Sequence, residues 1–221
     1  MLYTGSMKET YTVIFDFDGT LANTLELVAR IYNEHHKEFG SQPIDMSELA
    51  TYQKLGYKKA AKKAGIKWYK IPKIIRTISH EMKQHMDEVE PFPGVIALVG
   101  KLQKEGVSVG VLTSNSHELV TDYFASQKFP EFDFVVSEKT LFSKEKALRN
   151  IIEHRELDPQ RVVYVGDEPR DVTSCHKAGI RVIGVDWGVG GVEGLTPVKP
   201  HSIVHTTKEL HSEITALRTE G

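Results

Sequence analysis

Asp16-Phe17-Asp18-Gly19-Thr20 follows a short apolar run, Tyr11 to Phe15 (YTVIF), that reads as a buried strand. Two carboxylates two residues apart at a strand end point to the same side. They repel each other, and both stay ionised at low cost only with a cation between them. A hard divalent ion such as Mg²⁺, which takes oxygen ligands, meets that need. Gly19 allows a sharp turn just past the pair. On spacing alone, a solvated Asp-Gly turn is the simpler explanation.

A second acidic segment shifts the balance. Val162 to Val165 is an apolar strand that runs into Gly166-Asp167-Glu168-Pro169-Arg170-Asp171. In an open parallel sheet, ligands gather at the carboxyl ends of the strands. Asp16, Asp18 and Asp167 are therefore expected to converge on one crevice. Asp171 could reach it from the first turn of the next helix, or could simply face that helix's dipole. Glu168 reads as a neighbour rather than a ligand. A third strand, Val107 to Leu112, runs into Thr113-Ser114-Asn115. Hydroxyl and amide groups before a helix N-terminus can cradle phosphate; the alternative is plain capping by Ser114, Asn115 or Ser116. Lys144 begins a helical pattern, where its charge opposes the dipole. Offsetting a phosphate and a carboxylate cluster would explain it. Lys146, on another side of the same turn, is its rival.

Positioning these residues needs parallel strands separated by helices. Further strand-like runs are Phe134 to Val136 and Ile180 to Val185. Helical patterns cover Val95 to Lys104, Glu118 to Phe124, Lys144 to His154 and Val172 to Ala178, the last ending at a Gly179 C-cap. This alternation predicts an α/β fold, a Rossmann-like parallel sheet with helices on both faces. From Thr24 to Glu90 the rhythm breaks, with helical patterns and no convincing strand. The chain is therefore divided into a core, residues 1–22 and 91–221, and an inserted helical cap, residues 23–90, with Pro91-Phe92-Pro93-Gly94 as a rigid return. Between Leu49 and His80 stand eight lysines, one arginine and no acid. That is a solvated basic face or a positive lid for an anionic substrate. Trp68 and Tyr69 read as cap core or rim. Gly188 to Gly194 reads as a flexible loop near the crevice. His35, His36, His80 and His85 show no metal-ligand spacing.

The chain has 221 residues, 40% hydrophobic and 26% charged, with a formal net charge of −2. That charge does not mark a nucleic-acid or membrane binder. The single cysteine, Cys175, excludes an internal disulfide and suits a reducing, cytoplasmic setting. No apolar run approaches the roughly 18 residues of a membrane span, and the polar residues 1–10 lack a signal-peptide core.

Taken in order, Asp16-x-Asp18-Gly19-Thr20-Leu21, Ser114-Asn115, Lys144 and Gly166-Asp167-x-x-x-Asp171 resemble the haloacid dehalogenase-like hydrolase superfamily. The resemblance runs from about Tyr11 to Leu210, and the insertion resembles that superfamily's small cap. It implies that Asp16 is a nucleophile forming an aspartyl-phosphate and that Asp18 is the general acid, then base. It implies Mg²⁺ held by Asp16, the Asp18 carbonyl, Asp167 and, directly or through water, Asp171. Ser114, with Thr113 as nearest rival, would bond the phosphoryl group beside Asn115, and Lys144 would neutralise it. Members that displace halide typically lack the second aspartate, so Asp18 favours phosphate esters. A phosphonate-cleaving member would need a cap lysine for a Schiff base. The implied activity is hydrolysis of a small phosphorylated metabolite of the phosphoglycolate kind. A phosphoglucomutase-like phosphotransferase shares all of these residues, and a non-catalytic binding protein would need none of them together. Nothing in the cap names a leaving group or an oligomeric state.

Overall fold

The computed structural model describes residues 10–49, 51–52, 59, 61–138 and 144–220. Among them, β1 is Thr12–Phe15, followed by helices α1 (Leu25–Phe39) and α2 (Ile71–Met82). Then come α3 (Val95–Lys104), β2 (Ser108–Thr113), α4 (His117–Ser126), β3 (Phe134–Ser137), α5 (Lys144–His154) and β4 (Val162–Gly166). The chain continues through α6 (Pro169–Ala178), β5 (Arg181–Val185), α7 (Gly191–Leu195), β6 (Ser202–Val204) and α8 (Thr207–Glu220).

The six strands form one parallel sheet in the order β3-β2-β1-β4-β5-β6. Val, Ile and Phe dominate the central strands because both faces are covered. Side chains alternate along each strand. Val13, Phe15, Val109, Val111, Val163 and Val165 pack on one face with Val99 and Leu102 of α3 and Leu210 and Ile214 of α8. Ile14, Leu112, Tyr164 and Val182 pack on the other with Leu148 of α5 and Val172 of α6. This is the expected α/β architecture. The sequence reading missed β6 and α8: three residues make a weak strand signal, although Leu210, Ile214 and Leu217 form the buried stripe of α8.

Between β1 and β2 the described residues hold helices and no strand. The excursion leaves and returns at one stem. Ala22 bridges Pro91, and the Asn23 N–H donates to Glu90 O at 3.0 Å. It carries its own apolar cluster of Tyr32, Phe39, Tyr52, Ala64 and Ile74. Trp68, expected as core or rim, is 81% exposed. The neighbouring Lys70 ammonium donates to Phe39 O at 2.5 Å. Phe39 ends α1, roughly 22 Å of helix from the stem, so Trp68 and Tyr69 sit at the distal tip. In the basic segment Lys63 pairs with Glu48 and Lys73 with Glu38; Lys54 and Lys58 lie outside the described residues.

Gly110 brings β2 against Phe134 of β3: an added Cβ would fall 2.1 Å from Phe134 Cζ. Gly110→Ala is expected to destabilise the fold by about 1–3 kcal/mol through overpacking, read as a lower urea midpoint with unchanged m value.

Candidate active site

β1 lies between β2 and β4, with Phe15 in register with both Val111 and Val165. The three strands therefore end level. The chain fills one side of β1 with β2 and β3, then the other with β4 to β6, so their carboxyl ends border a topological switch point.

Asp16 leaves β1 at this point, its N–H donating to Val165 O at 2.8 Å. Its Oδ1 accepts the Phe17 N–H at 2.8 Å, and its Oδ2 accepts Lys144 Nζ at 2.7 Å. Lys144 also donates to Asp171 Oδ1 at 2.5 Å. Lys146 is exposed, so of the two rival lysines Lys144 enters the crevice. Asp18 Oδ2 accepts the Asn115 amide at 2.6 Å, while Oδ1 is buried.

On the β2 side, Thr113 is buried and its Oγ1 accepts the Asn115 N–H at 3.0 Å. Ser116 is the residue that caps α4, accepting the Leu119 N–H. Capping thus occupies neither Thr113 nor Asn115. Ser114 is exposed, and Thr113 is the better enclosed of the two hydroxyls.

Asp167 is gripped from both sides. Thr20 Oγ1 donates to Oδ1 at 3.2 Å and the Val189 N–H to Oδ2 at 2.7 Å. The Gly190 N–H donates to the Asp167 carbonyl at 3.1 Å. A Cβ on Gly188 would fall 2.2 Å from Asp167 Cβ and 2.3 Å from Gly19 O. The glycine-rich segment is therefore a strap over Asp167 that runs into α7, beside the crevice as expected. Bare backbone is what lets it approach.

Oxygens of Asp16, Asp167 and Glu168 lie within 4.8 Å of one another, and all three residues are buried. Glu168 also pairs with Arg170 at 2.6 Å. Asp171 stands outside that trio, bonded to Lys144 and to the Glu168 N–H. Sequence reasoning missed Thr20 and the Val189 N–H. Thr20 follows Asp16-Phe17-Asp18-Gly19 directly, and that adjacency was the available signal. On the insertion, Glu34, His35 and Glu81 also gather, but His35 Nε2 pairs with Glu81 at 2.6 Å and links α1 to α2. An all-oxygen set with too few cations suits a hard divalent ion at Asp16, Asp167 and Glu168.

The profile described as haloacid dehalogenase-like hydrolase matches residues 13–185. The chain belongs to the haloacid dehalogenase-like hydrolase family. A phosphoglycolate phosphatase of Synechococcus elongatus is 29% identical over 206 residues, covering 93% of this chain and 97% of that protein. Pyrophosphatase PpaX of Bacillus mycoides is 25% identical, covering 90% of this chain and 94% of its own. The crystal structure of a predicted phosphatase from Clostridium acetobutylicum shares the fold, with a TM-score of 0.76 at 24% identity, covering 94% of this chain and 99% of that one.

The electrostatics of this haloacid dehalogenase-like site separate the carboxylates. Burial, then the charge of Asp16, push Asp18 up to about 6, against the pull of Thr24 and Asn115. Burial lifts Asp167 well above the usual carboxylate range, helped by the charges of Glu168, Asp171 and Asp16. Burial also drives Asp171 up to about 7, although Lys144 opposes it. For Lys144 burial disfavours the charge, but Asp16 and Asp171 outweigh it and hold the proton on.

A carboxyl raised by the fold binds its proton more tightly folded than unfolded. The stability it confers is full below the ordinary value of 3.8 and is lost as pH rises to about 6. In EDTA, Asp18→Asn is expected to melt above the parent at pH 8, with the gap closing toward pH 4. Thermal melts across that range check the sign.

Proposed function

We propose that this hydrolase is a Mg²⁺-dependent phosphatase that cleaves a small phosphorylated metabolite, of the phosphoglycolate kind, through an aspartyl-phosphate on Asp16. One observation carries the reading. Lys144 stands 2.7 Å from the Asp16 carboxylate, while the neighbouring Asp18, pushed up to about 6, is poised to carry a proton.

Asp16, its rotamer fixed by the Phe17 N–H, attacks phosphorus while the bond to the leaving oxygen breaks. Asp18 passes its proton to that oxygen, so the alcohol departs neutral. Asp18, now a carboxylate, takes a proton from water as the water attacks the aspartyl-phosphate. The P–O bond to Asp16 breaks, phosphate leaves, and both carboxyls return to their starting states. Lys144 offsets charge on the phosphoryl oxygens. The hydroxyl of Thr113 or Ser114 and the Asn115 amide bound it on the β2 side. When bound, Mg²⁺ supplies the remaining positive charge. Asp16, the Asp18 carbonyl and Asp167 would hold it, with Glu168 beside them and Asp171 acting through Lys144. Residues 23–90 act as the cap that closes over this crevice, and residues 1–22 and 91–221 as the core.

The relatives named phosphoglycolate phosphatase and pyrophosphatase make phosphoglycolate and pyrophosphate the first two substrates to test in a panel of phosphorylated metabolites. Phosphate release is expected with Mg²⁺ and not with EDTA. Asp16→Asn is expected to lower it by roughly a thousandfold or more. Asp167→Asn is expected to raise the Mg²⁺ needed for half-maximal rate by at least about tenfold. Undiminished release by Asp16→Asn would overturn the mechanism.

A further inference from the structure

β4 reads Val162-Val163-Tyr164-Val165-Gly166, a tyrosine set among valines. Tyr164 is fully buried, and its hydroxyl has no neighbour to bond with among the described residues other than the Lys144 ammonium. Burying a hydroxyl is costly, so the position calls for an explanation that the apolar face alone does not give. Lys144 Nζ lies 5.2 Å from the centre of the Tyr164 ring. An ammonium carries three protons. Asp16 and Asp171 accept two of them, and the Tyr164 ring is a third neighbour. Gly166 keeps this arrangement open. A Cβ there would fall 2.4 Å from Asp171 Oδ2 and 2.9 Å from Tyr164 Cε1.

We propose that Tyr164 is a positioning residue for the phosphoryl-binding lysine, its ring face seating the Lys144 ammonium by a cation–π contact while Asp16 and Asp171 hold the other sides. A desolvated ammonium over a ring face is the setting in which this contact is strongest. It has a second use during the reaction. When Asp16 becomes an acyl phosphate, the negative charge facing Lys144 moves from its carboxylate to the phosphoryl oxygens. The ring and Asp171 keep the ammonium in place through that change and for the second step. The inference rests on the reading of Lys144 given above and adds the group that aims it.

The test grades the ring rather than removing it. Tyr164→Phe keeps the face and loses only the hydroxyl. Fluorinated phenylalanines at position 164 keep the shape and drain the negative face. Activity with Mg²⁺, the affinity for orthovanadate, which mimics the transferring phosphoryl group, and the melting temperature are measured for each. Tyr164→Phe is expected to keep kcat within about twofold, and trifluorophenylalanine to lower kcat and vanadate affinity together by about tenfold, with KM and melting temperature little changed. Tyr164→Leu should weaken vanadate binding in the parent and add nothing in a Lys144→Met background, as coupled residues do. A flat response to fluorination, or a full additional loss from Tyr164→Leu in the Lys144→Met background, overturns the inference. Unchanged vanadate affinity in Lys144→Met alone would instead overturn the reading of Lys144 itself.

Discussion

Asp16, Asp167, Glu168 and Asp171 are each at most 4% exposed, and they share one crevice with Asp18. Carboxylates this close and this dry cannot all carry charge without compensation. The sheet's upper edge is arranged around that constraint. Lys144 spans Asp16 and Asp171. Arg170 holds Glu168. Backbone N–H groups of Phe17, Glu168 and Val189 take up carboxylate oxygens. The charge still left over is what, on the function we propose, a divalent cation and a phosphate ester would share.

The same constraint fixes where the rest of the chain can go. Gly19, Gly166 and Gly188 stand where a side chain would collide with Asp167 or Asp171. Only bare backbone can wrap so closely around charged groups that need to stay dry. The helical excursion begins just past Asp18. The Gly19 N–H donates to Ala22 O, and the next residue, Asn23, binds the returning chain at Glu90. The turn that carries Asp18 is thus the turn that anchors the insertion. Any swing of the insertion is felt within a few residues of the group we assign as acid and base.

Much of this was legible in the residues. Strand ends carry their chemistry in a fixed order, so Asp16, Asp18, Lys144 and Asp167 stand out against valine-rich runs, and the helices over Val95–Lys104 and Lys144–His154 begin and end where their stripes do. What was not legible depended on contacts between distant segments. The Gly188–Gly194 stretch has no side chains to form a pattern, and its role shows only when it lies against Asp167. How near Glu168 comes to Asp16 and Asp167 was not legible, because sequence does not show which way the chain turns after Asp167. Ser114 and Thr113 differ by one residue at a strand end, and burial rather than type distinguishes them. Trp68 read as core or rim because large aromatics are usually at least partly buried, and nothing local announces that it sits exposed at the tip of the insertion.

The central claim is that the carboxylate of Asp16 itself takes the phosphoryl group. The direct measurement is to quench a turning-over enzyme in acid, reduce it with borohydride, which converts an acyl phosphate to an alcohol, and map the product by peptide mass spectrometry. The account predicts homoserine at position 16 and unaltered aspartate at positions 18, 167 and 171. Reduction at another carboxylate, or none under conditions where phosphate is being released, would contradict it.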